Sequence, residues 1–149
     1  MKSFQRKGSK SNAHVGRDFE KAAKEFFAKK RIMLEEDLKL SIGISKNKKE
    51  HSFDLGSKTR NIVVECKSHK WTTGDNVPSA KLTVWNEAMY YFSLVPKKWR
   101  KIFFVLKDRS RKRNETLAEY YIRTYSHLIP YGVEFWEYNP KMKDARKIN

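Results

Sequence analysis

Three residues that can do chemistry stand close together in the middle of the chain: Asp54 and, eleven positions on, Glu65-Cys66-Lys67. Side chains alternate along an extended strand. In NIVVECKSH (61–69), Glu65 and Lys67 therefore emerge on one face and Cys66 on the other. An acid-x-Lys pair alone means little, because 17 acids and 23 lysines in 149 residues give about two or three by chance. Asp37-Leu38-Lys39 is another. Company separates the two. Asp54 lies on the strand just before Glu65, across a short turn, whereas the residue eleven before Asp37 is Phe26. Neighbouring strands run about 4.8 Å apart, which brings the Asp54 and Glu65 carboxylates within reach of one hard cation. By the same alternation Ser52, Asp54 and Gly56 share a face opposite Phe53 and Leu55, predicting small neighbours and room for a ligand. The competing reading is a structural ion-pair set on a sheet rim.

Positioning these residues requires a helix and strands around them. Phe19, Ala22, Ala23, Phe26 and Phe27 recur at helical spacing and predict a first helix from about Arg17 to Lys30, with Glu20 bordering its apolar face. LKLSIGI (38–44), the polar turn KNKKE and HSFDLGS (51–57) read as a hairpin. The β-branched run 61–69 reads as a central strand. Leu82, Trp85, Met89 and Phe92 predict a helix over 79–94 that Pro96 stops. A strand over 101–108, a helix over 116–128 and a strand over 133–138 complete the order α-β-β-β-α-β-α-β. That order is an α/β domain with a mixed sheet flanked by helices. Residues 1–14 and 141–149 are polar and basic and read as tails around one domain over 15–140.

Lys and Arg number 33 against 17 Asp and Glu, a formal net charge of +16. Such an excess attracts phosphate polymers, since each neutralised phosphate releases counterions. Nucleic acid ranks first, with anionic membranes and acidic proteins as rivals. Residues 97–113 carry nine Lys or Arg and one acid. Within them RSRKR predicts an exposed loop bearing Arg109, Arg111, Lys112 and Arg113. Lys48 and Lys49 at the hairpin tip form a second candidate patch. Trp71 follows the motif strand and is placed either lining a cleft or in the core. Cys66 is the only cysteine, which excludes an intrachain disulfide and a thiolate zinc cluster. No 18-residue apolar run and no signal-peptide centre occur, so no membrane partner and a cytoplasmic location are expected.

The Asp54…Glu65-x-Lys67 arrangement within an α-β-β-β-α-β order resembles the PD-(D/E)XK nuclease superfamily over about residues 16–138. The resemblance implies a restriction-endonuclease-like three-layer fold and hydrolysis of phosphodiester bonds, DNA before RNA, with Mg²⁺ and with Mn²⁺ substituting. Glu20, in GRDFEKAAKEFF, occupies the place of the acid that family members commonly add from the first helix. Some branches carry Gln-x-x-x-Tyr on the helix after the motif; Asn86 and Tyr90 keep that spacing with Asn in place of Gln. Phe53 stands where the family name has Pro. By this resemblance Asp54, Glu65 and the Cys66 backbone carbonyl hold the metal. Lys67 positions the attacking water or stabilises the five-coordinate phosphorus, and Glu20 anchors the outer water shell or a second metal.

Each assignment has a plainer rival. Glu20 can be a solvated helix residue, Asn86 and Tyr90 mere helix flank, and the Cys66 thiol a packed small group. His51 and His69 flank the site strands as structural or substrate-facing residues rather than ligands. Two other function classes stand beside the nuclease: a non-catalytic nucleic-acid-binding module and a basic scaffold protein. Cutting both strands of a duplex would favour a homodimer.

Overall fold

The computed structural model of the chain describes residues 12–149. In order its elements are α1 (Asn12–Lys29), β1 (Glu35–Ile42), β2 (Lys49–Ser57), β3 (Ile62–Lys67), α2 (Ser79–Leu94), β4 (Arg100–Leu106), the two-residue strands β5 (Arg109–Ser110) and β6 (Glu115–Thr116), α3 (Leu117–Tyr125) running into a 3-10 turn (Ser126–Leu128), β7 (Val133–Asn139) and β8 (Asp144–Lys147). Six strands make one sheet in the order β1-β2-β3-β4-β7-β8, while β5 and β6 pair separately.

β3 and β4 take the centre because they can be covered on both faces: every residue from Ile62 to Cys66 and from Lys101 to Val105 is buried. β3, β4 and β7 are parallel and step across the sheet in one direction. Two right-handed crossovers in one direction put their helices on one face. There α2 and α3 bury Trp85, Met89, Phe92 and Tyr121 against Phe103 and Phe135. The opposite face belongs to α1, whose Phe19, Phe26 and Phe27 pack on Val64, Ile102, Phe104 and Tyr138. Truncating one such buried aromatic costs about 3–5 kcal/mol, so both faces clamp β3 firmly. The result is an α/β architecture with a mixed six-stranded sheet between helices.

Three strands go beyond the expected order. RSRKR is not an open loop: β5 and β6 fold it into a small hairpin that leads directly into α3. A capping box closes that junction, with the Thr116 hydroxyl accepting from Glu119 N–H and the Glu119 carboxylate accepting from Thr116 N–H. The 141–149 stretch is not a tail either, because β8 pairs antiparallel with β7. An edge strand needs backbone bonds more than apolar alternation, and charges on an edge are ordinary, so DARK carries no strand signal. The Asn149 side chain extends the pairing, accepting from Phe135 N–H at 2.7 Å and donating to Val133 C=O at 2.8 Å. β1 begins three residues earlier than its apolar pattern, with exposed Glu35 and Glu36. The tail expected over 1–14 lies outside the described residues as far as Ser11, and Asn12–His14 belong to α1. Among the described residues no helix is long and apolar enough to cross a membrane.

Candidate active site

β2 and β3 form a regular ladder only from Ser57↔Ile62 to Leu55↔Val64. One step further the strands part, and carboxylates complete what the main chain leaves open. Asp54 N–H donates to Glu65 Oε1 at 3.3 Å, and Cys66 N–H donates to Asp54 Oδ2 at 2.8 Å. Both acids are thereby tied to the opposite strand, with one oxygen of each left outside the backbone pairing. In an extended strand the N–H and C=O of one residue leave by the same edge, so the Cys66 carbonyl faces the same fork.

Alternation breaks at this point. Phe53 packs on the α2 side against Phe92, whereas Leu55 belongs with Val64 to the α1 side. On β1 the residue across from Asp54 is Asp37, which adopts a left-handed φ of 51° and leaves a gap in the β1–β2 register. The expected face of Ser52, Asp54 and Gly56 therefore does not exist as such. Gly56 has a different reason: a Cβ there would lie 2.6 Å from the Ile62 carbonyl and 2.5 Å from Leu38 Cδ2. It permits close packing, not ligand space.

Glu20 reaches the same fork from α1, on the other side of the sheet from α2. Burial first, then the Asp54 charge and hydrogen bonding with Asp54, push its pKa up to about 7, with Asp37 and Glu36 adding to the effect. Glu65 is only 8% exposed. Burial and then Asp54 push it up to about 8, against the pull of Lys67, whose Nζ stands 3.9 Å from Glu65 Oε2. Asp54 is the neighbour both glutamates share. Three carboxyls brought together this way repel one another unless protons or a cation intervene. Oxygen-only donors suit a hard divalent ion such as Mg²⁺. Among the described residues no three His, Cys, Asp or Glu side chains already stand in a ligating array; Asp54 and Glu65 each spend an oxygen on the opposite backbone. The Cys66 thiol is buried among α1 contacts, and burial followed by the nearby carboxylates raises its pKa well above the ordinary thiol range. It is inert packing.

The α2 flank differs from the expected one. The Asn86 side-chain oxygen accepts from Tyr121 OH at 2.8 Å, which ties it to α3, and Tyr90 is 53% exposed. Glu87 and Tyr91, one position on at the same spacing, face the β2 side instead. His51 stacks on Tyr91 at 3.7 Å and 15°. Its pKa is lowered by burial, while the Asp54 and Glu87 charges oppose that shift. WNEAMYYF contains both pairs, and they flank the apolar stripe on either side. Only the docking of α2 decides which pair meets the site.

Trp71 is buried, not an open cleft wall. Its backbone N–H donates to Asp108 Oδ2 at 2.8 Å and its indole N–H to the Asp108 carbonyl at 3.0 Å. Arg113 lies over its ring at 4.9 Å and donates to the Asp75 carbonyl at 2.7 Å. Arg113 is thus engaged within the protein, as is Arg109, which bonds Asn114; Arg111 and Lys112 are exposed at the turn. Lys48 closes its own hairpin turn through the Gly43 carbonyl at 3.0 Å, and Lys49 is exposed at the start of β2. The basic stretch 97–113 divides over the two ends of β4. Lys107 to Arg113 lie at the Lys67 end, and Lys97 and Lys98 lie about 20 Å away at the other. A cavity of about 690 Å³ at that far end is lined by Trp99, Lys101 and Tyr131 and contains none of the candidate site residues.

Comparison of the chain with protein-family models, curated proteins and solved structures finds no match.

Proposed function

We propose that the chain is a metal-dependent nuclease of the PD-(D/E)XK type, with a restriction-endonuclease-like fold and DNA as its preferred substrate. One observation carries this reading: β2 and β3 separate at Asp54 and Glu65, Lys67 stands beside them, and Glu20 enters from α1. A Mg²⁺ ion held by Asp54, Glu65 and the Cys66 carbonyl, with Glu20 on its outer waters, would lower the pKa of a bound water and withdraw charge from the phosphate. Lys67 contributes a compact positive charge on the Glu65 side of the fork, where it orients the attacking water and stabilises charge growing on the phosphate oxygens. The backbone bonds of Asp54 and Glu65 hold both carboxyls in place before substrate arrives, so little rearrangement opposes the chemical step. Open ends of parallel strands are where α/β proteins bind ligands, and Lys67, Lys107 and the β5–β6 hairpin share that end.

The test is incubation with plasmid, single-stranded and branched DNA in Mg²⁺, in Mn²⁺ and in EDTA. Cleavage that requires the metal supports the reading. Salt-sensitive binding without cleavage on any of these substrates would assign the fold to nucleic-acid binding alone.

A further inference from the structure

His69 is held in one protonation form by a buried partner. Trp85 is fully buried in the core beneath α2, and its indole N–H donates to His69 Nδ1 at 2.8 Å. An indole nitrogen can only donate. Nδ1 is therefore the unprotonated acceptor, and the ring hydrogen sits on Nε2. The two rings lie edge to edge with centroids 6.3 Å apart and planes inclined by 29°, so the bond from the buried indole also sets the imidazole plane. Nε2–H has no acceptor among the described residues. It is not sealed from water, since Trp136 Nε1 is the one buried side-chain polar atom among them without a partner. Two charged groups face the ring: Lys67 from β3 and Lys81 from the first turn of α2. Together with burial, the largest cause, they lower its pKa to about 4. Burial and the two ammonium groups disfavour a third positive charge there, so the ring stays a neutral donor.

We infer that His69 is a phosphate-binding residue, whose Nε2–H between Lys67 and Lys81 donates to a non-bridging oxygen of the phosphodiester next to the one held at the carboxylate fork. This rests on the nuclease reading of the fork. His69 follows Lys67 by two residues, a reach of at most about 7 Å and comparable to one nucleotide step of an extended strand. The lysines supply attraction without direction, whereas an imidazole N–H with its plane fixed supplies direction. A donor that does not titrate near neutrality also cannot take the proton that the reaction must move elsewhere.

The test measures binding in EDTA, so that no strand is cut, by fluorescence anisotropy with labelled single-stranded and duplex oligonucleotides. His69→Ala should weaken binding about tenfold, the scale of one hydrogen bond to a charged group. His69→Gln, whose side-chain amide can stand where Nε2–H stands, should recover it to within about threefold. In a series of oligonucleotides carrying one uncharged methylphosphonate each, one linkage should weaken the wild type without further weakening His69→Ala. Nitrogen NMR of the wild-type imidazole should show the Nε2-protonated form from pH 6 to 8, and melting curves should show the variants folded. Equal binding by His69→Ala, a loss that is the same at every methylphosphonate position, or an Nδ1-protonated ring overturns the inference. Binding that follows the pattern in a protein that never cuts leaves His69 in its role and removes the nuclease reading. Metal-dependent cutting that is indifferent to His69 does the reverse.

Discussion

The two ends of the central strands treat charge in opposite ways. At the Arg100 end, ionic groups are matched inside the protein. Arg100 forms a two-pronged bond to Glu134 at 2.5 and 3.2 Å, Lys147 joins the same carboxylate at 3.8 Å, and the buried Lys101 ammonium donates to the carbonyls of Trp99 and Pro96. At the Lys67 end, Glu20, Asp54 and Glu65 are pressed together, and the one lysine beside them stands 3.9 Å from a single oxygen. The first arrangement satisfies groups and stops. The second gathers like charges that burial and one another push toward protonation, the pattern on which the proposed metal site rests.

Removing chemistry from the strained end should have the largest effect. Asp54→Ala and Lys67→Ala should each lower Mg²⁺-dependent cleavage by about a thousandfold or more, while DNA binding in gel shifts stays within about threefold, because affinity is spread over many phosphate contacts. Parallel loss of binding and cutting in folded variants would merge the two roles and break the contrast between the ends.

The second expectation concerns pH. Glu65 has a folded pKa of about 8 against an ordinary 4.5. A raised carboxyl pKa means that the native state holds its proton more tightly than the unfolded chain. The stability that Glu65 contributes is therefore fully present below about pH 4.5 and lost as pH rises through about 8. In EDTA, urea unfolding should show the wild type weaker at pH 8.5 than at pH 5. Glu65→Gln, which keeps an oxygen to accept from Asp54 N–H, should flatten that dependence by roughly 2–4 kcal/mol. A Glu65→Gln profile parallel to the wild type would show that the carboxyl is not the source.

The split of the basic stretch sharpens the comparison further. Neutralising Arg109, Arg111 and Lys112 should weaken DNA binding and reduce the salt slope by about 0.9 for each duplex phosphate that is no longer neutralised. Neutralising Lys97 and Lys98, at the far end, should leave the slope unchanged. Equal slopes for the two variants would mean that DNA does not lie along the Lys67 end.

The smallest effect belongs to the matched end. Glu134→Gln should lower stability by about 1 kcal/mol at low salt and less at high salt, as expected of a partly exposed ion pair. Melting temperatures at two ionic strengths measure it.

Much of this is legible in the residues. The apolar face of Phe19, Ala23, Phe26 and Phe27, the run Ile62–Cys66 and the stripe Leu82–Trp85–Met89–Phe92 each have one physical solution, and all three are buried as their periods require. The pairing of Asp54 with Glu65 follows from adjacent strands. What stays hidden depends on how elements meet. Strict alternation cannot show that β2 changes faces at Asp54, because the turn-over rests on Asp37 and on where α2 lies. Spacing alone favours neither Asn86 and Tyr90 nor Glu87 and Tyr91, since it is identical for both pairs. β8 carries almost no apolar residue, so only its bonds to β7 reveal it. RSRKR has the composition of solvated charge, which holds for Arg111 and Lys112, while the β5–β6 pairing and the meeting of Arg113 with Trp71 and Tyr120 come from the fold.

The early end of the β2–β3 ladder also has a mechanical consequence. Beyond Leu55 the β1–β2 hairpin has no further main-chain rung to the body of the sheet. It projects as a cantilever, tied to β3 by the N–H bonds of Asp54 and Cys66 to carboxylates and resting on α2 through Phe53 against Phe92 and His51 against Tyr91. A beam held this way can tilt without breaking a main-chain rung, loading only the two N–H bonds to carboxylates at Asp54 and Cys66, where the slot would widen. Amide exchange should accordingly be faster from Leu40 to His51 than from Leu55 to Ser57, and a strand gripped in the slot should slow it.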